Sequence, residues 1–251
     1  MSKKDYMNIH FMRIFACILV VIIHTTATPS SALTLNSLPQ LIFLVVNQFA
    51  KAAVPIFVFI SGFLLNKIYK DQKIDVLPFW TKRLPKIVAP YVLWSFLYYA
   101  IYAYKGFYTL DLGFIIKGLL YGTFIYHLYF MIIIIQFYLL FPLFHRIATR
   151  LGEMKFFLIA ILIQLALLET IFPYRDRFFT SYIIYFALGM LISAKSETGL
   201  MRIKQPLWFL LLWIFAGGAS FTLALNLQNQ WVPFTAFIYA FFYVIDRKSV
   251  V

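Results

Sequence analysis

Long apolar runs separated by short polar stretches constrain this chain more than any other feature. Eight can be marked, at residues 9–28, 41–65, 87–104, 124–144, 156–172, 178–194, 206–225 and 231–245. A helix needs roughly 20 predominantly apolar residues to cross about 30 Å of hydrocarbon, and about 17 suffice. Only the last run falls clearly short of that. Composition points the same way: 63% of residues are hydrophobic and 12% charged, with a mean hydropathy of +0.85. Soluble domains carry about 45–50% apolar and about 25% charged residues, so a soluble fold is excluded. The expected class is all-α, a polytopic helical membrane protein of about eight transmembrane helices, forming one integral membrane domain over 1–251. The first run is not a cleaved signal peptide, because it holds Arg13 and His24 and further spans follow it. The single cysteine, Cys17, rules out a disulfide framework or a cysteine metal site.

The net charge of +13 would suggest nucleic acid in a soluble protein. Here its distribution speaks for membrane topology, and no nucleic-acid partner is expected. With a cytoplasmic N-terminus, the inner segments hold Lys3, Lys4, Lys67, Lys70, Lys73, Lys82, Arg83, Lys86, Arg146, Arg150, Lys155, Lys195, Arg202, Lys204, Arg247 and Lys248, sixteen in all. The outer segments hold four: Lys105, Lys117, Arg175 and Arg177. A fourfold bias over short loops follows the positive-inside rule and places both termini in the cytoplasm. Residues 107–120 carry Asp111 and Lys117 on an otherwise apolar stretch, the pattern of an interfacial helix on the outer side.

Ionisable groups inside hydrocarbon are costly, so each is a functional candidate. Arg13 and His24 lie eleven residues apart on one predicted helix, roughly 16 Å along its axis. Eleven steps of about 100° return to within about 20° of the starting direction, so the two share a face. The helix thus presents a cation near the cytoplasmic side and an imidazole near the outer side, an arrangement suited to a long anionic ligand. Taken singly, Arg13 also suits a residue snorkelling to the headgroups, and His24 a satisfied interfacial histidine. His127 opens an inward-going span at the depth of His24, as a substrate contact or as a boundary residue. Lys51 falls within a span four residues before Pro55, which suggests a broken, cavity-lining helix. Its charge would attract an anionic ligand or pair with Glu169. Ser61-Gly62 offers a hydroxyl to a substrate, or close helix packing through small residues. The sequence has no phosphate loop, HExxH zinc motif or GxSxG elbow, and no metal is expected.

The chain resembles the acyltransferase-3 family of multi-span membrane acyltransferases. The resemblance rests first on Arg13 and His24 with ten residues between them. It continues in Val54-Pro55-Ile56-Phe57, in Ile60-Ser61-Gly62-Phe63-Leu64-Leu65, and in Phe79-Trp80-Thr81-Lys82-Arg83-Leu84-Pro85-Lys86. Further along it takes in His127-Leu128-Tyr129-Phe130 with Tyr138 and Pro142, then Tyr185-Phe186-Ala187-Leu188-Gly189. These blocks follow family order over roughly residues 8–190. Departures are His10, where an aspartate is common, Lys86, where arginine is frequent, and Tyr129 in place of the usual tryptophan.

The resemblance implies transfer of an acyl group, usually acetyl, from cytoplasmic acyl-CoA to a hydroxyl of a cell-envelope glycan or lipid-linked sugar, in a bacterial cytoplasmic membrane. It casts His24 as the catalytic histidine, acting as base or acyl carrier, and Arg13 as its partner holding the donor. Lys82, Arg83 and Lys86 match a basic motif expected to bind the donor. His127, Lys51 and Ser61 are the expected substrate contacts. A competing reading is a non-catalytic transporter or flippase of a polysaccharide intermediate. The family commonly has about ten spans against the eight marked here, so the expectation is a C-terminally truncated member.

Overall fold

The computed structural model describes residues 3–34, 37–70, 72–167 and 174–195. The spans expected at 206–225 and 231–245, and Glu169, lie outside the described residues. Among the described residues every regular element is helical. Four stretches are long and apolar enough to cross a membrane: Ile9–Ala32, Leu38–Tyr69, Pro85–Tyr104 and Tyr126–Leu151. They coincide with four of the runs marked in the sequence. The helical membrane fold is therefore as expected. The described chain falls into two compact units, divided within one helix between Ile60 and Ser61.

The first unit is built on α1 (Lys3–Ala32) and α2 (Leu38–Ala50), with the start of α3 (Ala53–Tyr69). Leu19, Ala50 and Ala53 form its buried centre, with Phe15, Val20 and Ile23 packed against them. Hydroxyls near the outer end of α1 are satisfied locally: Thr25 Oγ1 donates to Val21 O (3.0 Å) and Thr26 Oγ1 to Ile22 O (2.6 Å). Such back-bonding is how Ser and Thr sit in an apolar helix without stranding a polar atom. Ser37 caps α2 by accepting the Gln40 backbone N–H at 3.4 Å.

The second apolar run is one span in sequence and two helices in the structure. Helix α2 stops at Ala50, Lys51 and Ala52 form a turn, and α3 starts at Ala53. Pro55 is the physical cause. A proline ring clashes with the carbonyl four residues back, here that of Lys51, and lacks an N–H to donate to it; Pro55 falls in the first turn of α3, where neither matters. The Lys51 N–H is shared between Asn47 O (3.2 Å) and Gln48 O (3.3 Å), and Ile56 N–H bonds Ala52 O (3.0 Å). The break therefore leaves these backbone groups paired, as a membrane interior requires.

The second unit runs from Ser61 to Ala194. It contains the rest of α3, α4 (Val76–Arg83), α5 (Pro85–Tyr104), α6 (Leu112–Tyr121), α7 (Tyr129–Leu151), α8 (Glu153–Ala166) and α9 (Ile183–Lys195). Helix α6 falls where an interfacial helix was expected. Asp111 Oδ2 caps it by accepting the Phe114 N–H (2.6 Å), and Gly122 ends it at φ +61°. Tyr91 and Tyr99 on α5 donate to the carbonyls of Leu119 (2.6 Å) and Thr109 (3.0 Å), tying this segment down. Helices α8 and α9 have 14 and 13 residues, shorter than the runs from which they were expected.

The core of this unit is aromatic. Phe137 and Phe186 stack at 4.6 Å with planes 8° apart, and Phe141, Phe144 and Phe156 surround them. Helices α3 and α9 meet at Gly62, where an added Cβ would lie 2.2 Å from Phe186 O. Nearby, Asn66 Nδ2 donates to Met190 O at 3.0 Å. The Ser61-Gly62 pair thus owes its glycine to packing.

Candidate functional site

The first unit carries the stripe expected from the sequence. Helix α1 is unbroken from Lys3 to Ala32, so Arg13 and His24 share one face of one helix. Both side chains are exposed. They lie roughly a third of a turn round from the seam with α2, whose α1 side is marked by Leu19, Ile23 and Thr26.

Two buried amides of α2 fix that seam. Gln40 Nε2 donates to Ser30 O at 3.1 Å, and Asn47 Nδ2 donates to Ile23 O at 3.1 Å and to Thr26 Oγ1 at 2.9 Å. These pairs define an antiparallel register. Continued one turn further, it sets Lys51 level with residues 19–22 of α1. Lys51 therefore sits on the Arg13 side of His24, about 3–8 Å from it along the axis. The helix break leaves it half-buried at the C-terminus of α2. Arg13, Lys51 and His24 so form a ladder of positive or titratable groups at three depths of one helical pair.

The basic group of the second unit divides. Arg83 is half-buried: its Nη2 donates to Tyr69 Oη (3.4 Å), its Cζ lies 5.7 Å from the Tyr69 ring centroid, and its Nε is buried with no hydrogen-bond partner. Tyr69 packs edge-on against Phe79 (5.4 Å) and tilted against Phe141 (5.9 Å). Lys82 and Lys86 are exposed instead. Adjacent positions on a helix differ by about 100° in direction, so a basic motif read as one patch faces two ways.

His127 lies in a single 3-10 turn, Tyr126–Leu128, before α7. Its ring is exposed and stands edge-on to Tyr98 at 5.4 Å. Tyr98 is twelve residues beyond Lys86 on α5, so His127 and the basic group occupy opposite ends of that helix, roughly 18 Å apart. Ser61 is half-buried in α3. Within the second unit His127 and the basic group therefore do not converge on one point.

Three neutral or partnered side chains escaped the sequence reading. Gln40, just before the second apolar run, and Asn47, inside it, are buried amides, and their seven-residue spacing on one helical face, with Lys51 four further on, was a readable signal. His145 is buried on α7, and its Nε2 lies 3.1 Å from Gln72 O. A carbonyl only accepts, so Nε2 carries the proton. This histidine holds the α3–α4 connection against α7.

A family profile described as acyltransferase domain matches residues 7–246. The chain belongs to the acyltransferase-3 family. It is thus a multi-pass membrane acyltransferase by domain and helical composition alike. The match spans both units and takes in every candidate residue named above. No curated protein and no solved structure matches this acyltransferase-3 member. Among its described residues, no group of three or more His, Cys, Asp or Glu side chains is placed to hold a metal ion.

Proposed function

We propose that this protein transfers an acyl group, acetyl being the usual one for the family, from acyl-CoA to a hydroxyl of an envelope glycan or lipid-linked sugar. The shared face of Arg13 and His24 on an unbroken α1 carries the reading. His24 takes the proton from the acceptor hydroxyl as its oxygen attacks the acyl carbonyl, and returns it to the departing CoA thiolate as the C–S bond breaks. An imidazole has one nitrogen that accepts a proton and can release it again, which suits both halves of that exchange. Arg13 offers a planar guanidinium to the anionic donor. Lys51, at a depth between them, supplies positive charge where negative charge builds on the carbonyl oxygen. Lys82, Arg83 and Lys86 add positive potential at the end that the charge bias assigns to the cytoplasm, drawing a polyanionic donor to that face. His127 and Ser61 remain as proposed acceptor contacts.

The test is His24→Ala in purified protein, read as acyl transfer from acyl-CoA. His24 is exposed on α1, outside the buried core, so the substitution opens no core cavity and membrane insertion should be intact. Loss of a general base lowers the rate by about 10²–10⁴. Near-normal turnover would remove the central residue and turn the balance to transport of a polysaccharide intermediate, a reading favoured by the broken span at Lys51 and Ala52. Mass spectrometry of envelope O-acylation with and without the gene identifies the acceptor.

A further inference from the structure

A shallow groove of about 570 Å³ runs along the outside of α4 and α5. Leu84 keeps helical torsions (φ −60°, ψ −43°), and Val88 N–H bonds Leu84 O at 2.8 Å, so helical spacing carries through the α4–α5 junction. One wall is Trp80, Leu84, Val88 and Val92, at steps of four residues; Thr81, Pro85 and Ala89 form the strip beside it. Trp80 to Val92 rises roughly 18 Å, comparable to an extended fatty acyl chain. Apart from the Thr81 hydroxyl and the Trp80 indole nitrogen, the lining side chains are hydrocarbon. Thr81 Oγ1 is engaged by Leu77 O (3.0 Å) and Trp80 Nε1 by Leu139 O (3.3 Å), so neither competes for a ligand.

Lys82 and Lys86 flank this groove. Each follows a residue of the Thr81–Pro85–Ala89 strip and so stands about 100° round from it. Both are exposed, and neither has an ion pair, hydrogen bond or ring contact among the described residues. The positive-inside count assigns this end of α5 to the cytoplasmic face, where anionic lipids are attracted to basic residues. Lysine stems reach along apolar surface while the ammonium stays at headgroup level, and Trp80 is suited to the same boundary.

We propose that the α4–α5 groove is a binding site for an anionic phospholipid, its acyl chain lying along Trp80 to Val92 and its phosphate between Lys82 and Lys86. The proposal is independent of the acyl-transfer reading: a protein with no transferase activity would bind the same lipid. It gives Lys82 and Lys86 a second role beside the positive potential they share with Arg83, whose own guanidinium turns inward to Tyr69.

Native mass spectrometry of the detergent-purified protein, with phosphatidylglycerol and phosphatidylcholine of identical chains in competition, tests it. Phosphatidylglycerol should be retained preferentially, with roughly fivefold in affinity for each lysine. The Lys82→Gln/Lys86→Gln double variant should lose the preference, and Ala89→Trp should lower retention with both lysines in place. Equal retention of the two lipids by the unaltered protein overturns the proposal without any variant having to fold. Unchanged preference in a folded Lys82→Gln/Lys86→Gln protein overturns it too.

Discussion

Asn47 Nδ2 stands 2.9 Å from Thr26 Oγ1 and 3.1 Å from Ile23 O, so one amide of α2 grips α1 on both sides of His24 in the chain. Asn47→Ala should lower the stability of the detergent-solubilised protein by about 0.6–1.7 kcal/mol, the range for side-chain hydrogen bonds between membrane helices. Asn47→Asp should cost more, because a carboxylate cannot donate to Ile23 O and brings a charge into a buried seam. Both should also reduce acyl transfer, as α1 loses its register beneath His24. Thermal unfolding of the two variants checks the order, and an Asn47→Ala melting point equal to the parent would contradict it.

Gly62 and Gly106 give a paired prediction. A Cβ on Gly62 would meet the backbone oxygen of Phe186 at 2.2 Å, and α3 and α9 would have to part. Gly62→Ala should therefore cost at least the 1–3 kcal/mol typical of overpacking. Gly106 has open space around it but φ +77°, so Gly106→Ala should lose only about 1–2 kcal/mol to backbone strain. Denaturation of the two proteins side by side should rank Gly62→Ala as the worse.

Orientation can be read chemically. Ser31 and Lys73 are both exposed, and the charge count puts them on opposite sides of the membrane. In a Cys17→Ser background, a cysteine at Ser31 should react with an impermeant thiol reagent in intact cells. One at Lys73 should react only after the membrane is opened. Equal reaction from outside would refute the assignment.

Arg13 should separate from His24 kinetically. Arg13→Ala removes a proposed donor contact, so the acyl-CoA concentration for half-maximal rate should rise, while His24→Ala should act on turnover. Arg13→Lys should recover only part of the loss, because an ammonium lacks the guanidinium fork. Initial rates against acyl-CoA concentration distinguish the two, and identical kinetic profiles for Arg13→Ala and His24→Ala would count against separate roles.

Much of this was legible in the chain. The four long apolar stretches follow from hydropathy, and the α2–α3 break from Pro55 with Lys51 four residues before it, because proline chemistry is local. The Arg13–His24 stripe follows from helical periodicity alone. Asn47 and Gln40 were not legible to a search for charges: neutral amides cost less in hydrocarbon and attract less notice, yet here they set the register of the first helical pair. The different surroundings of Lys82 and Arg83 were hidden for another reason. Which of two adjacent basic residues turns inward depends on Tyr69, fourteen residues earlier and brought close only by the α3–α4 connection.

The interrupted second span also bears on how the protein enters its membrane. Helix α2 alone has 13 residues, about 20 Å of helix, and cannot bridge the hydrocarbon. It must be delivered to the bilayer together with α3, as one apolar piece of 32 residues, Leu38–Tyr69. Synthesis from the N-terminus places α1 there first, with the Ser30 and Ile23 carbonyls ready to receive Gln40 and Asn47. The first helix is then a docking template during biogenesis, and errors in the α1–α2 seam would act as insertion defects before any finished protein could show them.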